Sequence, residues 1–204
     1  MSKNPIIVFE GIEGSGKTLH VNYLAKYLKK KKIKFIRLRE PGGSTSSEKI
    51  RKLILSNKSN FHKITDFFLY LAARNENINI IIKKYFKKKV ILIDRFVDST
   101  TAYQHYGMGV NLNLIKNINK VILKGIKVDF TFLHYVSNKN MKKRLLKRKN
   151  LNRYDRFNMK FYQKVQSGYF KISKQKKTKY FLVNSNLSIV ENKKNIIKKI
   201  NKLI

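Results

Sequence analysis

The chain alternates short apolar runs with stretches whose apolar residues recur every three to four positions, a pattern that predicts strands each followed by a helix. Ile6 to Glu10 is the first apolar run; a glycine-rich turn follows, then Leu19 to Leu28, where Val21, Leu24, Ala25 and Leu28 fall at helical spacing. Phe35 to Arg39 predicts a second strand, stopped by Pro41-Gly42-Gly43, and Ser44 to Leu55 resumes the helical period. A long helical period covers Asp66 to Phe86 through Phe67, Tyr70, Leu71 and Ile78. Val90 to Ile93 is continuously apolar, as a parallel strand buried on both faces must be, and Asp94 closes it. Asn111 to Leu123 reads as a helix, Phe130 to Tyr135 as a fourth strand, Met141 to Arg148 as a helix and Phe181 to Val183 as a fifth strand. Ser188 with Glu191 predicts a capping box for the last helix.

Strands alternating with helices at this length imply an α/β fold, a parallel sheet wrapped by helices on both faces, with ligands outside the carboxyl ends of the strands. With 204 residues and no linker or internal repeat, residues 1–204 read as a single domain. The 42% hydrophobic content, with 13 Phe and 11 Tyr, is enough for a real core and argues against disorder.

Charge complicates this picture. Forty-seven basic residues against 11 acidic ones give a formal net charge of +36, a field that attracts phosphates, nucleic acid and anionic membranes. Lys, Asn and Ile are overused in every segment, however, and no basic arm or stripe stands out, so the charge reads as compositional and specific nucleic-acid binding is not expected. Zero Cys excludes disulfides and thiol chemistry and is compatible with a reducing compartment, so the expected location is cytoplasmic. Met1 to Pro5 runs into only four apolar residues, Ile6 to Phe9, too few for a signal-peptide core or a membrane span, so no membrane association is expected.

The candidate chemistry begins in the first turn. Gly11-Ile12-Glu13-Gly14-Ser15-Gly16-Lys17-Thr18 fits the phosphate-loop pattern G-x-x-x-x-G-K-[ST] and lies between a predicted strand and a predicted helix, the context the pattern requires. The glycines allow backbone N–H groups to curl around a β-phosphate, and the helix start aims its positive dipole end at the same charge. Lys17 would bridge the β- and γ-phosphates of ATP, and Thr18 would ligate Mg2+. The loop alone leaves ATPase, GTPase, kinase and DNA-dependent motor open. Asp94, ending an apolar strand, would place a carboxylate beside the metal and phosphates.

The neighbouring motifs narrow the choice. Arg39-Glu40-Pro41-Gly42-Gly43, Ala72-Ala73-Arg74, Asp94-Arg95-Phe96 and Ser99-Thr100-Thr101-Ala102-Tyr103-Gln104 resemble, in order and spacing, those of the thymidylate kinase family, from Phe9 to Tyr169. The resemblance implies a five-stranded parallel sheet of the nucleoside monophosphate kinase type, a homodimer, and ATP-Mg2+ and dTMP as small-molecule substrates. It implies that Arg95 clamps the dTMP phosphate with Arg39 and Arg51 nearby, since guanidinium forks suit bidentate phosphate contacts. Asp94 would orient Arg95 and the metal water, and Glu13 would meet the sugar 3'-hydroxyl or the metal shell. Tyr70 would stack on thymine and Arg74 would hydrogen-bond a thymine carbonyl. Ser99 belongs to the substrate side as well; Thr100 and Gln104 would address the base edge near N3, and Tyr103 would pack on the deoxyribose.

Arg148 to Arg156 matches the family's lid, taken as about residues 148–157, with Arg153 the best aligned arginine and Arg148 supplying further positive charge over ATP. Gly14 resembles the bacterial arrangement, in which the lid rather than the phosphate loop carries the arginines. Asn152 stands where the family often has Asp, Lys149 where it often has Gly, and Tyr135 and Asn138 where a strand-ending Asp and a Pro are usual. Two rival readings remain: a P-loop kinase for another monophosphate, and a nucleic-acid-stimulated ATPase suggested by the charge.

Overall fold

A computed structural model describes residues 4–204. Five parallel strands form one sheet: β1 (Ile6–Glu10), β2 (Phe35–Arg39), β3 (Val90–Asp94), β4 (Phe130–Tyr135) and β5 (Tyr180–Asn184). Their order is β2-β3-β1-β4-β5, and the five parallel strands are what the strand-helix alternation and the family resemblance predicted.

The continuous apolar strands are explained by what covers them. Along β1, Ile7 and Phe9 join Leu92, Phe130 and Phe132 on one face, against Val21, Leu24 and Leu28 of α1 (Lys17–Lys30) and Ile196 and Ile200 near the carboxyl terminus. Ile6 and Val8 join Ile91 and Ile93 on the other face, against Ile78, Ile82 and Phe96. A side chain of this kind taken fully out of water contributes about 1.5–3 kcal/mol, which is why both faces of the central strands are mostly apolar.

The register gathers the chemistry at one edge. Phe9 and Arg39 each pair with Asp94, which brings the carboxyl ends of β1, β2 and β3 side by side. The loop after β1 and the turns after β2 and β3 therefore open onto one crevice.

The remaining helices are α2 (Thr45–Leu55), α3 (Lys63–Asn77), α4 (Lys83–Tyr85), α5 (Val97–Thr100), α6 (Leu112–Leu123), α7 (Asn138–Leu146), α8 (Met159–Gln175) and α9 (Ile189–Ile200). A π-helical turn, Ile78–Ile82, joins α3 to α4, so the long period from Asp66 to Phe86 is one helical run with a widened turn inside it. A second π-helical turn, Thr101–Gly107, continues α5. Ser188 caps α9 by accepting from the Glu191 N–H, while the reciprocal arm of the expected capping box is not formed among the described residues.

Candidate active site

Gly11-Ile12-Glu13-Gly14-Ser15-Gly16 forms the turn between β1 and α1. Gly11 has φ 137°, and a Cβ there would sit 2.1 Å from the His134 carbonyl oxygen of the adjacent strand, so the close approach of loop to β4 requires glycine. Lys17 is 6% exposed and folds back over the loop; its Nζ donates to the carbonyls of Gly11 (2.8 Å) and Ile12 (2.9 Å) and to Ser15 Oγ (3.3 Å). Burial, followed by the nearby Arg95 charge, pushes the Lys17 ammonium down to about 7. Thr18 Oγ1 donates to Asp94 Oδ2 over 2.8 Å. A hydroxyl and a carboxylate converging beside a phosphate loop are the oxygen donors a Mg2+ ion takes, and the ion would supply charge neutralisation between phosphate oxygens.

Beside the loop lies a cleft of about 220 Å³. Arg95 sits in the left-handed region at φ 68°, a conformation costing an arginine about 1–2 kcal/mol, and this turn aims its guanidinium back at the phosphate loop. It donates to the Gly11 carbonyl (2.8 Å) and to Glu13 Oε1 (2.8 Å) and lies over the Tyr103 ring at 5.0 Å. The Tyr103 hydroxyl donates to the other Glu13 oxygen, so sugar-side and phosphate-side candidates are braced by one carboxylate. Arg39 and Arg51 face the same cleft: Arg39 pairs with Glu48 at 3.0 Å, and Arg51 donates to the Pro41 carbonyl. Tyr70, Ser99 and Gln104 complete the acceptor side, and Arg148 reaches the cleft from the lid.

A model of the family described as thymidylate kinase matches residues 9–196. The thymidylate kinase of Sulfurihydrogenibium sp. is 36% identical over 193 residues, covering 94% of each chain. That of Thermosipho africanus is 36% identical over 184 residues, covering 90% of each. The chain belongs to the thymidylate kinase family. The crystal structure of thymidylate kinase from Ehrlichia chaffeensis superposes with a TM-score of 0.80 at 29% identity, covering 97% of this chain and 98% of that one. Family membership makes the chain a kinase, a transferase of phosphoryl groups, and the nucleic-acid-stimulated ATPase reading is set aside.

As a thymidylate kinase family member the chain departs from expectation at three side chains. Arg74 is not on the cleft surface: it is 1% exposed, with Nε on Glu40 Oε2 (2.8 Å), one terminal nitrogen on Asn119 Oδ1 (3.0 Å) and the other on the Phe96 carbonyl (2.9 Å). Each of its three nitrogens makes a bond within the protein, so Arg74 locks the end of β2 to the turn after β3. Arg153 also does not line the cleft: it donates to Asp66 on α3 and to the Ile54 carbonyl, and its guanidinium lies over Phe61 and Tyr154. Arg148, paired with Asp155, is the lid arginine that lines the cleft. Thr100 does not line it; its Oγ1 is buried with no hydrogen-bond partner among the described residues.

Several contributors were not singled out in the sequence. Glu10 is fully buried and accepts from the Phe96 and Ser99 N–H groups, the Ser99 hydroxyl and the Tyr169 hydroxyl, which positions the Arg95 turn. Burial, then the Asp98 charge, raises its carboxyl above the usual range. Tyr154, from the lid, stands edge-on to Tyr70 (5.8 Å) and Tyr103 (5.9 Å) and walls the base side. Tyr169 lies on α8, a helix not predicted although Phe161, Tyr162, Val165, Tyr169 and Ile172 have its spacing. Arg144 donates to the Gly14 carbonyl (2.9 Å) and the Ser185 carbonyl, bridging the phosphate loop to the end of β5. Only its pairing across the fold distinguishes it from the surrounding lysines and arginines.

Proposed function

We propose that the cleft holds two nucleotides end to end across the phosphate loop and transfers the γ-phosphoryl group of ATP, bound with Mg2+, to dTMP. As a thymidylate kinase family enzyme the chain phosphorylates dTMP to dTDP with ATP. The observation that carries the residue assignment is the convergence of Lys17, Arg95, Arg39, Arg51 and Arg148 on one cleft of about 220 Å³. Two anions must be brought together there, and the chemistry is mostly positioning and electrostatic stabilisation. Lys17 and the loop amides hold the ATP tail, Thr18 and Asp94 hold Mg2+, and Arg95 with Arg39 and Arg51 holds the acceptor phosphate. Arg148 brings positive charge to the transferring group. Tyr70 stacks on the base, Tyr103 packs on the sugar, and Ser99 supports the Arg95 turn through Glu10. The adenine end of ATP fits a second cleft beside the loop, lined by Arg144, Ser185 and Leu187.

The whole chain acts as one domain with a lid at about 148–157, as a homodimer in the cytoplasm; no helix among the described residues is long and apolar enough to cross a membrane. Purified protein given ATP, Mg2+ and each nucleoside monophosphate in turn tests the assignment, with light scattering for the dimer. Preference for dTMP is expected, and preference for any other monophosphate rejects the substrate.

A further inference from the structure

A hydrogen-bonded chain runs from the lid anchor into the base side of the cleft. Asp66, 1% exposed on α3, divides its carboxylate: Oδ1 accepts from Arg153 and Oδ2 accepts from the Tyr154 hydroxyl. Gln104 Nε2 lies 3.4 Å from the same Tyr154 oxygen. The direction of every bond follows from what each group can offer, independent of which amide atom is drawn as nitrogen. An arginine has only donors, so the carboxylate between Arg153 and Tyr154 has only acceptors to present. The single phenolic proton therefore goes to Asp66. The Tyr154 oxygen is left with lone pairs, and the end of the Gln104 amide that meets it must be the NH2. Burial, with Tyr70 and Asp66 close by, holds the Tyr154 phenol well above its ordinary range, which keeps that proton in place. The other end of the amide, Oε1, makes no hydrogen bond among the described residues, and Gln104 lines the cleft.

We propose that Asp66, acting through Tyr154, fixes the Gln104 amide with its carbonyl oxygen toward the acceptor base, so that the cleft selects a pyrimidine carrying a proton on N3 over one carrying a lone pair there. Thymine has that proton and cytosine does not. Asp66 and Tyr154 are thus positioning residues for specificity, and the inference rests on the reading of Gln104 as the group that faces the base.

Steady-state kinetics of the full chain with ATP-Mg2+ and either dTMP or dCMP, for wild type, Asp66→Asn and Tyr154→Phe, test it. In Asp66→Asn, Arg153 claims the side-chain oxygen and the new NH2 turns to Tyr154; the phenol then donates to Gln104 and its amide turns over. The dTMP-over-dCMP ratio of kcat/KM should fall by about tenfold or more, because a reversed donor leaves a buried polar pair unmatched. KM for dTMP should rise, and kcat/KM for dCMP should increase in absolute terms, which no merely structural defect produces. Tyr154→Phe cuts the relay without reversing it, so the ratio should fall by a smaller factor with dCMP no better; this variant decides the matter if Asp66→Asn does not fold. A dTMP-selective wild type whose ratio stays within about twofold in the folded variants overturns the relay alone. A wild type that does not favour dTMP overturns the reading of Gln104 and the relay with it.

Discussion

Thr18 Oγ1 donates a 2.8 Å hydrogen bond to Asp94 Oδ2, joining the first turn of α1 to the end of β3 across 76 positions of sequence. The contact follows from the order β3-β1 in the sheet, which puts the helix start after β1 next to the end of β3. Asp94→Asn keeps the shape of this pair and removes its charge. Turnover should drop by about 10²- to 10³-fold, and half-maximal rate should require more Mg2+. A rate-against-Mg2+ titration checks this; an unchanged curve would remove Asp94 from the metal site.

Lys17 carries a second expectation. Its folded value of about 7 lies below the ordinary 10.5, so between these values the unfolded chain holds a proton that the folded chain lacks. Stability contributed by this group therefore rises with pH across that window and is lowest below pH 7. Phosphates beside the amine restore the ammonium, so ATP binding at a pH between the two values should take up about one proton. Calorimetry in two buffers of different ionisation enthalpy measures the uptake, and Lys17→Met should abolish it.

The Arg74–Glu40 pair is expected to matter for stability before it matters for the substrate. Burial raises the Glu40 carboxyl, and Arg74 opposes that rise. Arg74→Ala leaves a buried carboxylate without its cation and should destabilise the fold by about 3–5 kcal/mol, with Arg74→Met combined with Glu40→Leu recovering part of the loss. Urea denaturation reads both. A variant as stable as wild type but with a raised KM for dTMP would return Arg74 to base reading.

The two lid arginines should separate. Arg148→Ala should lower kcat by about 10²-fold with little change in KM for dTMP, because it removes charge at the transferring group. Arg153→Ala breaks a pair with a buried carboxylate and should lower the melting temperature more than Arg148→Ala does. Kinetics and thermal melts on both variants check the contrast, and the reverse pattern would assign the phosphates to Arg153.

Much of this was legible along the chain. The phosphate loop is contiguous, so its glycines, Lys17 and Thr18 could be placed without knowing anything distant, and the central strands β1, β3 and β4 declared themselves as apolar runs because both of their faces are covered. The family resemblance assigned Tyr70, Arg95, Tyr103 and Gln104 to the acceptor side, and all four line the cleft. Asp66 and Glu10, and with them the role of Tyr154, were not legible, since nothing local marks a carboxylate whose partners lie 86 to 159 positions away.

Arg74 and Arg153 show where local reading ends. In a chain with 47 basic residues, an arginine's sequence neighbours say that it carries charge, not which way it points. The alternation of apolar and polar residues determined the sheet, the crevice at its carboxyl edge and the loop that grips phosphate, because these depend on periodicity and on contiguous backbone. Which guanidiniums face that crevice and which are held behind it was decided by buried acceptors brought in from other elements. An arginine goes to the nearest desolvated carboxylate or carbonyl that lacks a donor, and only the folded chain says where that acceptor is.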